Sequence, residues 1–375
     1  MLIYFDLIYS PLYLKFKYSV AYQKLKLRNK FFCGSISLQK KGLLMNKEEK
    51  INEYFNALFS KRYQKYSLLF NNLEVLSKSQ LFLEKKLESA YEMTDFAKEN
   101  LTKMDFLECI ELAKQFYHDM GIDYDIEKLV QNGTIDINVP ENPEIIINSG
   151  FTTFKQNHIG LSVNYNNSIS DATVLVHELA HARGMEPIFY KTYDFFTETM
   201  AFTEQYIFIE YLNNMGYNKD LNILKSKNYR SLWRFNYSAY SILMLLEVYN
   251  TLGKVSLENC KFLYDNISNE DYQKSVDNVL GYLSKPLYKL LQPIYYSIAY
   301  MHAPYMLEKY KENPNFINKI KYLTENLAKL EIKDFFEIID LTTNQDKNQE
   351  IVSPYLDKYK KECEKAYNKQ RRLVK

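Results

Sequence analysis

The segment His177-Glu178-Leu179-Ala180-His181 constrains this chain more than any other feature of its sequence. On a helix, residues four positions apart lie on one face, so both imidazoles can reach a single metal ion. Glu178 then lies beside that ion, where its carboxylate can take a proton from a water molecule. Only five histidines occur in the 375 residues, so chance is a poor explanation for this spacing.

The flanking residues favour a buried helix over residues 171–184. Ser168 or Ser170 can cap its N-terminus, and Asp171 suits its first turn. The apolar run Val174, Leu175 and Val176 would face the core and hold the metal-binding face in place. We therefore predict that the histidines are carried by a well-packed element.

A third metal ligand is expected from the next helix, after the turn at Gly184 and Pro187. Sixteen residues separate His181 from Glu198, enough for a loop and one turn of a returning helix. Glu204 is the alternative, but six positions correspond to about 240° of helical rotation, so both carboxylates cannot face the metal. Gln205 returns to the face of Glu198 and can hydrogen-bond a metal ligand. Two His, one Glu and an open position are typical of catalytic zinc, and we predict one Zn²⁺ per chain, held by His177, His181 and Glu198.

Hydrophobic periodicity predicts a mostly α-helical architecture with one small β-sheet next to the metal-binding helix. Three helices are predicted between residues 47 and 120. Short strands are predicted at Ile145–Ile147 and at 161–165, and the second is interpreted as an edge strand along which an extended peptide could pair. Further helices are predicted at about residues 171–184, 194–213, 229–252, 284–311 and 347–371.

Composition excludes several classes of function. None of the 10 glycines falls in a phosphate-binding or nucleophile-elbow motif. The positive charge is concentrated in residues 1–44 and 358–375, which leaves the rest of the chain net negative and disfavours nucleic acid as a partner. No apolar run approaches the roughly 18 residues of a membrane span. Four widely spaced cysteines fit a reducing compartment, and we predict a cytoplasmic location.

Three regions are predicted along the chain. Residues 1–44 form a basic extension without a clear period, and Met45, which opens an amphipathic helix, is a candidate for the native start. An N-terminal helical region is predicted for residues 45–140. The metal site and the helices around it are predicted to lie in a catalytic region, residues 141–375.

Three segments resemble the oligoendopeptidase F and thimet oligopeptidase family of HExxH zinc peptidases. Residues 163–171 are similar to the strand and turn that precede the family's zinc helix. Residues 195–201 resemble the segment that carries its third ligand, and Tyr296-Ser297-Ile298-Ala299-Tyr300 is similar to its tyrosine-rich C-terminal helix. The resemblance implies a zincin-like helical peptidase, one zinc ion and short unstructured peptides as substrates.

The same resemblance implies that Tyr296 and Tyr300 donate hydrogen bonds to the transition state. His302 follows on the same predicted helix and could stabilise the oxyanion in the same way. The chain departs from the family pattern at Ala180, where glycine is usual, and at Gln205, where a second acidic residue is common. The connection between His181 and Glu198 and the chain as a whole are also short for the family.

The leading hypothesis is a zinc-dependent endopeptidase in which Glu178 carries the proton between the attacking water and the leaving amine. One alternative is a catalytically silent, peptide-binding descendant of the same fold. Another is a regulatory zinc protease that acts on one protein partner. The presence of bound zinc and the size of the substrates cleaved would separate these hypotheses.

Overall fold

The computed structural model of the chain describes residues 46–59, 101–138, 150–155, 158–184, 194–283, 287–342 and 345–374. The chain divides into two compact units. Of the described residues, the first unit contains 46–59, 244–283 and 287–290, and the second contains the rest. The basic extension predicted at residues 1–44 lies outside the described residues. The predicted division of the rest into 45–140 and 141–375 stays a prediction.

Most of the described residues are helical, which confirms the prediction of a mostly α-helical chain. In chain order the helices are α1 (Lys47–Phe59), α2 (Phe106–Asp119), α3 (Ile126–Gln131), α4 (Ile169–Gly184), α5 (Asp194–Asn214), α6 (Asn218–Leu252), α7 (Leu257–Leu263), α8 (Asn269–Leu283), α9 (Leu287–Glu312), α10 (Ile317–Asn326), α11 (Ile332–Ile338) and α12 (Gln345–Val374). Short 3-10 turns flank α10 at Pro314–Phe316 and Leu327–Lys329. No helix in the described part of the chain is long and apolar enough to cross a bilayer.

In the described residues three strands precede α4: β1 (Ile135–Asn138), β2 (Gly150–Lys155) and β3 (His158–Asn164). They are arranged in the order β1-β3-β2, with β3 parallel to β1 and antiparallel to β2. The prediction that residues 161–165 form an edge strand is therefore wrong, because β3 is the central strand. Alternation along a strand indicates which side chains are buried but not which strands lie beside it. The predicted strand at Ile145–Ile147 lies outside the described residues.

Helix α4 begins where the turn after β3 supplies hydrogen-bond donors to an acidic side chain. The buried Asp171 carboxylate accepts the backbone N–H groups of Asn166 at 2.8 Å and Ser168 at 2.9 Å. The helix then packs against α2, α5, α10 and the sheet. Its side chains Ala172, Val176 and Leu179 are fully buried. Because neighbours cover α4 on several sides, its polar residues are held in fixed positions.

The first unit is built from α1, α7, α8, the C-terminal part of α6 and the first turn of α9. Ile51, Tyr54 and Phe55 of α1 are buried, and Ile51 and Phe55 are fully enclosed. Asn52 joins α1 to the chain before α7, because its side-chain amide donates to the Val255 carbonyl at 3.0 Å and accepts from the Val255 N–H at 2.6 Å. All of the candidate site residues lie in the second unit.

Candidate metal centre

Helices α4 and α5 bring three ligand atoms together. His177 Nε2 lies 3.2 Å from His181 Nε2, and Glu198 Oε2 lies 3.3 Å from the first of these atoms and 3.5 Å from the second. The two imidazole rings are nearly perpendicular, at 82°. The three side chains are only 10%, 12% and 17% exposed. They form the one group in the described residues whose ligand atoms could share a metal ion.

These distances suit a tetrahedral ion. Zinc binds imidazole nitrogen and carboxylate oxygen at about 2.0–2.2 Å, and ligand atoms at tetrahedral angles are then about 3.3–3.6 Å apart. The observed separations of 3.2, 3.3 and 3.5 Å fall close to that range. The donor set, two imidazoles and one carboxylate, is also the one that zinc prefers in catalytic sites. The residues present therefore fit a zinc ion.

The electrostatics of the cluster favour a positive charge. Burial alone would lower the pKa of His181, but the carboxylates of Glu198 and Glu178 raise it to about 9. Burial would raise the pKa of Glu198, yet the adjacent His181 and His177 hold it well below its usual range. The carboxylates thus create a site in which a cation is stabilised.

Two residues of α5 hold the His177 ring from outside the cluster. Gln205 Oε1 lies 3.2 Å from His177 Nδ1 and accepts its hydrogen. The edge-on ring of Phe202 packs against the imidazole with 4.6 Å between centroids. Glu198 and Gln205 are seven positions apart on α5, so the same face of this helix supplies a ligand and a partner for another ligand.

Glu178 is buried at 4% exposure, between the two histidines in sequence. Its negative charge raises the pKa of His181 on α4 and of Tyr296 on α9. The carboxylate therefore lies close enough to both side chains to influence their protonation.

Tyr296 and Tyr300 share one face of α9 and contact Phe202, the residue whose ring packs against His177. Their rings pack against Phe202 with centroid distances of 5.6 and 4.7 Å. Burial, followed by the charge of Glu198, raises the pKa of Tyr296 well above its ordinary value, so its hydroxyl stays protonated. Burial also raises the pKa of Tyr300, which hydrogen-bonds Ser231. Both hydroxyl groups can therefore serve as donors.

No protein-family model and no curated protein sequence matches this chain. Solved structures do match its fold. A Bacillus anthracis str. Ames protein named as an oligoendopeptidase F aligns with a TM-score of 0.56 and 15% identity, over 86% of this chain and 62% of its own. A Chlamydophila abortus protein named as a peptidase aligns with a TM-score of 0.53 and 16% identity, over 85% of this chain and 60% of its own. This chain has an oligoendopeptidase-like fold. It spans only about 60% of the length of these structures.

Within this oligoendopeptidase-like fold, His302 does not join the cluster. It lies two positions beyond Tyr300, about 200° around α9, and therefore on another face. Its fully buried ring packs against Phe196 and Phe336, and its Nδ1 donates to the Ile298 carbonyl at 2.9 Å. Burial lowers its pKa to about 4. The structure thus places His302 in an apolar environment away from the cluster, and its contact with an oxyanion stays a prediction.

Glu204 also lies apart from the ligand atoms. It is 1% exposed and paired with the buried guanidinium of Arg183 on α4. It also accepts hydrogen bonds from the hydroxyls of Thr324 on α10 at 2.8 Å and Tyr117 on α2 at 3.2 Å. The two carboxylates that the sequence left open thus have different environments, and only Glu198 lies with the histidines.

Sequence reasoning missed two residues that shape this part of the oligoendopeptidase-like fold. Phe202 links His177 to the tyrosines of α9, but an aromatic residue on a helix is usually interpreted as core. Arg183 forms an ion pair with Glu204, but Arg183 belongs to no sequence motif that would have indicated this role. A buried partner for Glu204 could have been suspected only from its apolar neighbours on α5.

Proposed function

We propose that this chain is a zinc-dependent endopeptidase that hydrolyses short, unstructured peptides. The observation that carries the proposal is the convergence of His177, His181 and Glu198 beside the buried carboxylate of Glu178. The fold supports a peptidase, because the two similar structures are named as an oligoendopeptidase F and a peptidase. The chain's own activity, substrates and partners are part of this proposal.

The residues divide the chemistry among them. His177, His181 and Glu198 would hold zinc, which when bound polarises the scissile carbonyl and lowers the pKa of the attacking water. Glu178 accepts a proton from that water and delivers it to the leaving amine. The hydroxyls of Tyr296 and Tyr300 donate hydrogen bonds to the oxyanion of the tetrahedral intermediate.

Substrate binding is proposed at β2. Among the described strands β2 pairs only with β3, and both strands pack against α4. The outer edge of β2 can therefore add an extended peptide beside the metal-binding helix. Main-chain pairing distinguishes side chains weakly, so a broad sequence preference follows. The proposal includes a cytoplasmic enzyme, which agrees with the free thiols of Cys109, Cys260 and Cys363.

A catalytically silent, peptide-binding protein is the second candidate. The observation that favours it is the chain's length, about 60% of that of the similar structures, since an enclosed substrate site could require more chain. Such a protein would bind peptides but would cleave none of them, with or without zinc. A regulatory protease would instead cleave a folded protein as well as peptides.

The substitution Glu178→Gln tests the proposed chemistry most directly. We expect the purified wild-type chain to contain one equivalent of zinc and to cleave a quenched fluorescent peptide of about ten residues, but not casein. General acid–base groups typically contribute about 10² to 10⁴ in rate, so kcat should fall at least a hundredfold with KM little changed.

The zinc content of Glu178→Gln should equal that of the wild type, because Glu178 is not a ligand. His181→Ala is the matched control, since it should lose both metal and activity. A wild-type chain without tightly bound zinc would overturn the proposal. Equal cleavage by wild type and Glu178→Gln would assign the activity to another site, and zinc binding without cleavage of any peptide in a mixed library would favour the silent protein.

A further inference from the structure

We propose that Gln205 is a positioning residue that fixes the tautomer and orientation of His177 and, being uncharged, limits how tightly the site holds its metal. The inference rests on the proposed zinc site and adds to it a determinant of metal affinity. Gln205 itself contributes no ligand atom to the cluster of His177, His181 and Glu198.

The hydrogen bond between Gln205 and His177 determines which ring nitrogen is free. Gln205 Oε1 is a carbonyl oxygen and can only accept, so His177 Nδ1 must carry the hydrogen at the observed 3.2 Å. The lone pair is then on Nε2, the atom that lies 3.3 Å from Glu198 Oε2. An acceptor on the outer nitrogen thus prepares the inner nitrogen to bind a metal.

Among the two histidines, His177 is the one whose orientation depends on the hydrogen bond to Gln205. Its ring is held by the Gln205 oxygen and by the edge contact with Phe202. In the described part of the chain, no comparable acceptor lies against the outer nitrogen of His181, and its polar contacts there run through Nε2 to His177 and Glu198. A change at Gln205 should therefore act on the metal through one ligand.

The amide group also sets a limit on affinity. A carboxylate at this position would accept the same hydrogen, but charge-assisted hydrogen bonds are roughly twice as strong as neutral ones. It would also make the His177 imidazole a stronger electron donor and add negative charge next to a bound cation. The amide provides orientation without this charge, so the site should bind metal less tightly than the same site with glutamate.

The test compares the zinc affinity of the full chain with those of two variants at Gln205. Gln205→Met keeps the length of the side chain but removes the acceptor, and loss of such outer contacts typically weakens metal binding by about 10 to 100-fold. Gln205→Glu should tighten zinc binding by about tenfold or more. The dissociation constant would be measured by competition with a chromophoric zinc chelator.

A second measurement separates positioning from a general loss of structure. The visible absorption of the Co²⁺-substituted chain reports ligand geometry, and we expect it to change in Gln205→Met. Thr203→Val is the matched control: Thr203 is buried on the same helix and bonds the Thr199 carbonyl at 2.7 Å, and its hydroxyl touches no metal ligand. This variant should keep the wild-type zinc affinity and Co²⁺ spectrum.

The outcomes distinguish the two proposals. A wild-type chain that binds zinc, together with unchanged affinity in both Gln205 variants, would overturn the positioning role alone. The positioning role would also be overturned if Thr203→Val lowers the zinc affinity as much as Gln205→Met does. A wild-type chain that binds no zinc would overturn the proposed function and, with it, this inference.

Discussion

Glu198 and Glu204 show how packing gives two identical side chains different roles. Both are on α5, six positions apart, and both are largely buried. Glu198 faces the imidazoles of α4, which provide positive charge when protonated and ligand atoms for a metal when neutral. Glu204 faces Arg183, whose guanidinium offers several donors and stays charged. The difference arises from helical rotation and from what lies opposite each face.

The substitution Glu198→Ala should therefore weaken zinc binding by at least about 10 to 100-fold, the effect typical of losing even an outer contact. Its control is Glu210→Gln, on the same helix, where the carboxylate pairs with Lys225 at 2.8 Å. Chelator competition would give both affinities. Unchanged zinc affinity in Glu198→Ala would remove Glu198 from the ligand set.

His302 provides a prediction about stability and pH. Burial lowers its pKa to about 4, whereas the unfolded chain should protonate it near 6.5. The unfolded state then binds more protons below pH 6.5, so this contribution to stability is complete above that pH and is lost as the pH falls toward 4. The maximum slope from one such group is about 1.4 kcal/mol per pH unit.

Replacing His302 with Phe, a ring of similar size that cannot titrate, should reduce the loss of stability between pH 7 and pH 5. Denaturant unfolding at several pH values would measure the difference from wild type. Thr203→Val is the control, because it alters a buried side chain without removing a titratable group. Parallel pH profiles for wild type and His302→Phe would show that His302 titrates normally in the folded chain.

At the scale of elements, a buried polar cluster connects four helices around the metal-binding segment. Glu204 on α5 pairs with Arg183 on α4 and accepts from Thr324 on α10. Tyr117 on α2 donates to Glu204 and lies 3.2 Å from the carbonyl oxygen of Val176, the residue before His177. The cluster thus holds α4 in register with α5, the two helices that supply the metal ligands.

Glu204→Leu should destabilise the chain by about 3–5 kcal/mol, because the buried guanidinium of Arg183 loses its buried partner and keeps only the half-exposed Glu325 at 4.0 Å. The double variant Arg183→Met with Glu204→Leu should recover much of this loss, since it leaves no unpaired charge. Urea unfolding would measure both. A single variant within about 1 kcal/mol of wild type would mean that the pair is open to solvent.

At this scale, local sequence patterns also failed to predict where one helix begins. Helix α6 begins at Asn218, well before the predicted residue 229. Its first turns carry Lys, Asn and Asp with little periodic hydrophobicity, and part of their support comes from a distant segment. The Asp220 carboxylate accepts from the N–H and the hydroxyl of Thr102 at 2.8 and 2.7 Å. A window of sequence around residue 220 does not contain that partner.

At the scale of the whole molecule, metal binding should stabilise the fold. A ligand that binds only the folded chain adds about 2.7 kcal/mol when its free concentration is one hundred times its Kd. Removing zinc with EDTA should lower Tm by a few degrees, because the two imidazoles and the Glu198 carboxylate are buried without their common partner. Readdition of zinc should restore Tm.

Calorimetry with and without the chelator would measure this shift. Glu178→Gln should show the same shift as wild type, while His181→Ala should show none. A wild-type Tm that does not respond to the chelator would argue against tightly bound metal in the folded chain.

By itself the sequence determined the helix of His177 and His181 and the mostly helical class, because spacing and periodicity are local properties of a helix. It also limited the third ligand to two carboxylates. The tertiary structure decided the features that depend on distant neighbours. Glu198 lies with the histidines, whereas Glu204 forms an ion pair with Arg183. It also made β3 the central strand and placed His302 among phenylalanines. These outcomes depend on contacts between residues far apart in the chain, which no local pattern contains.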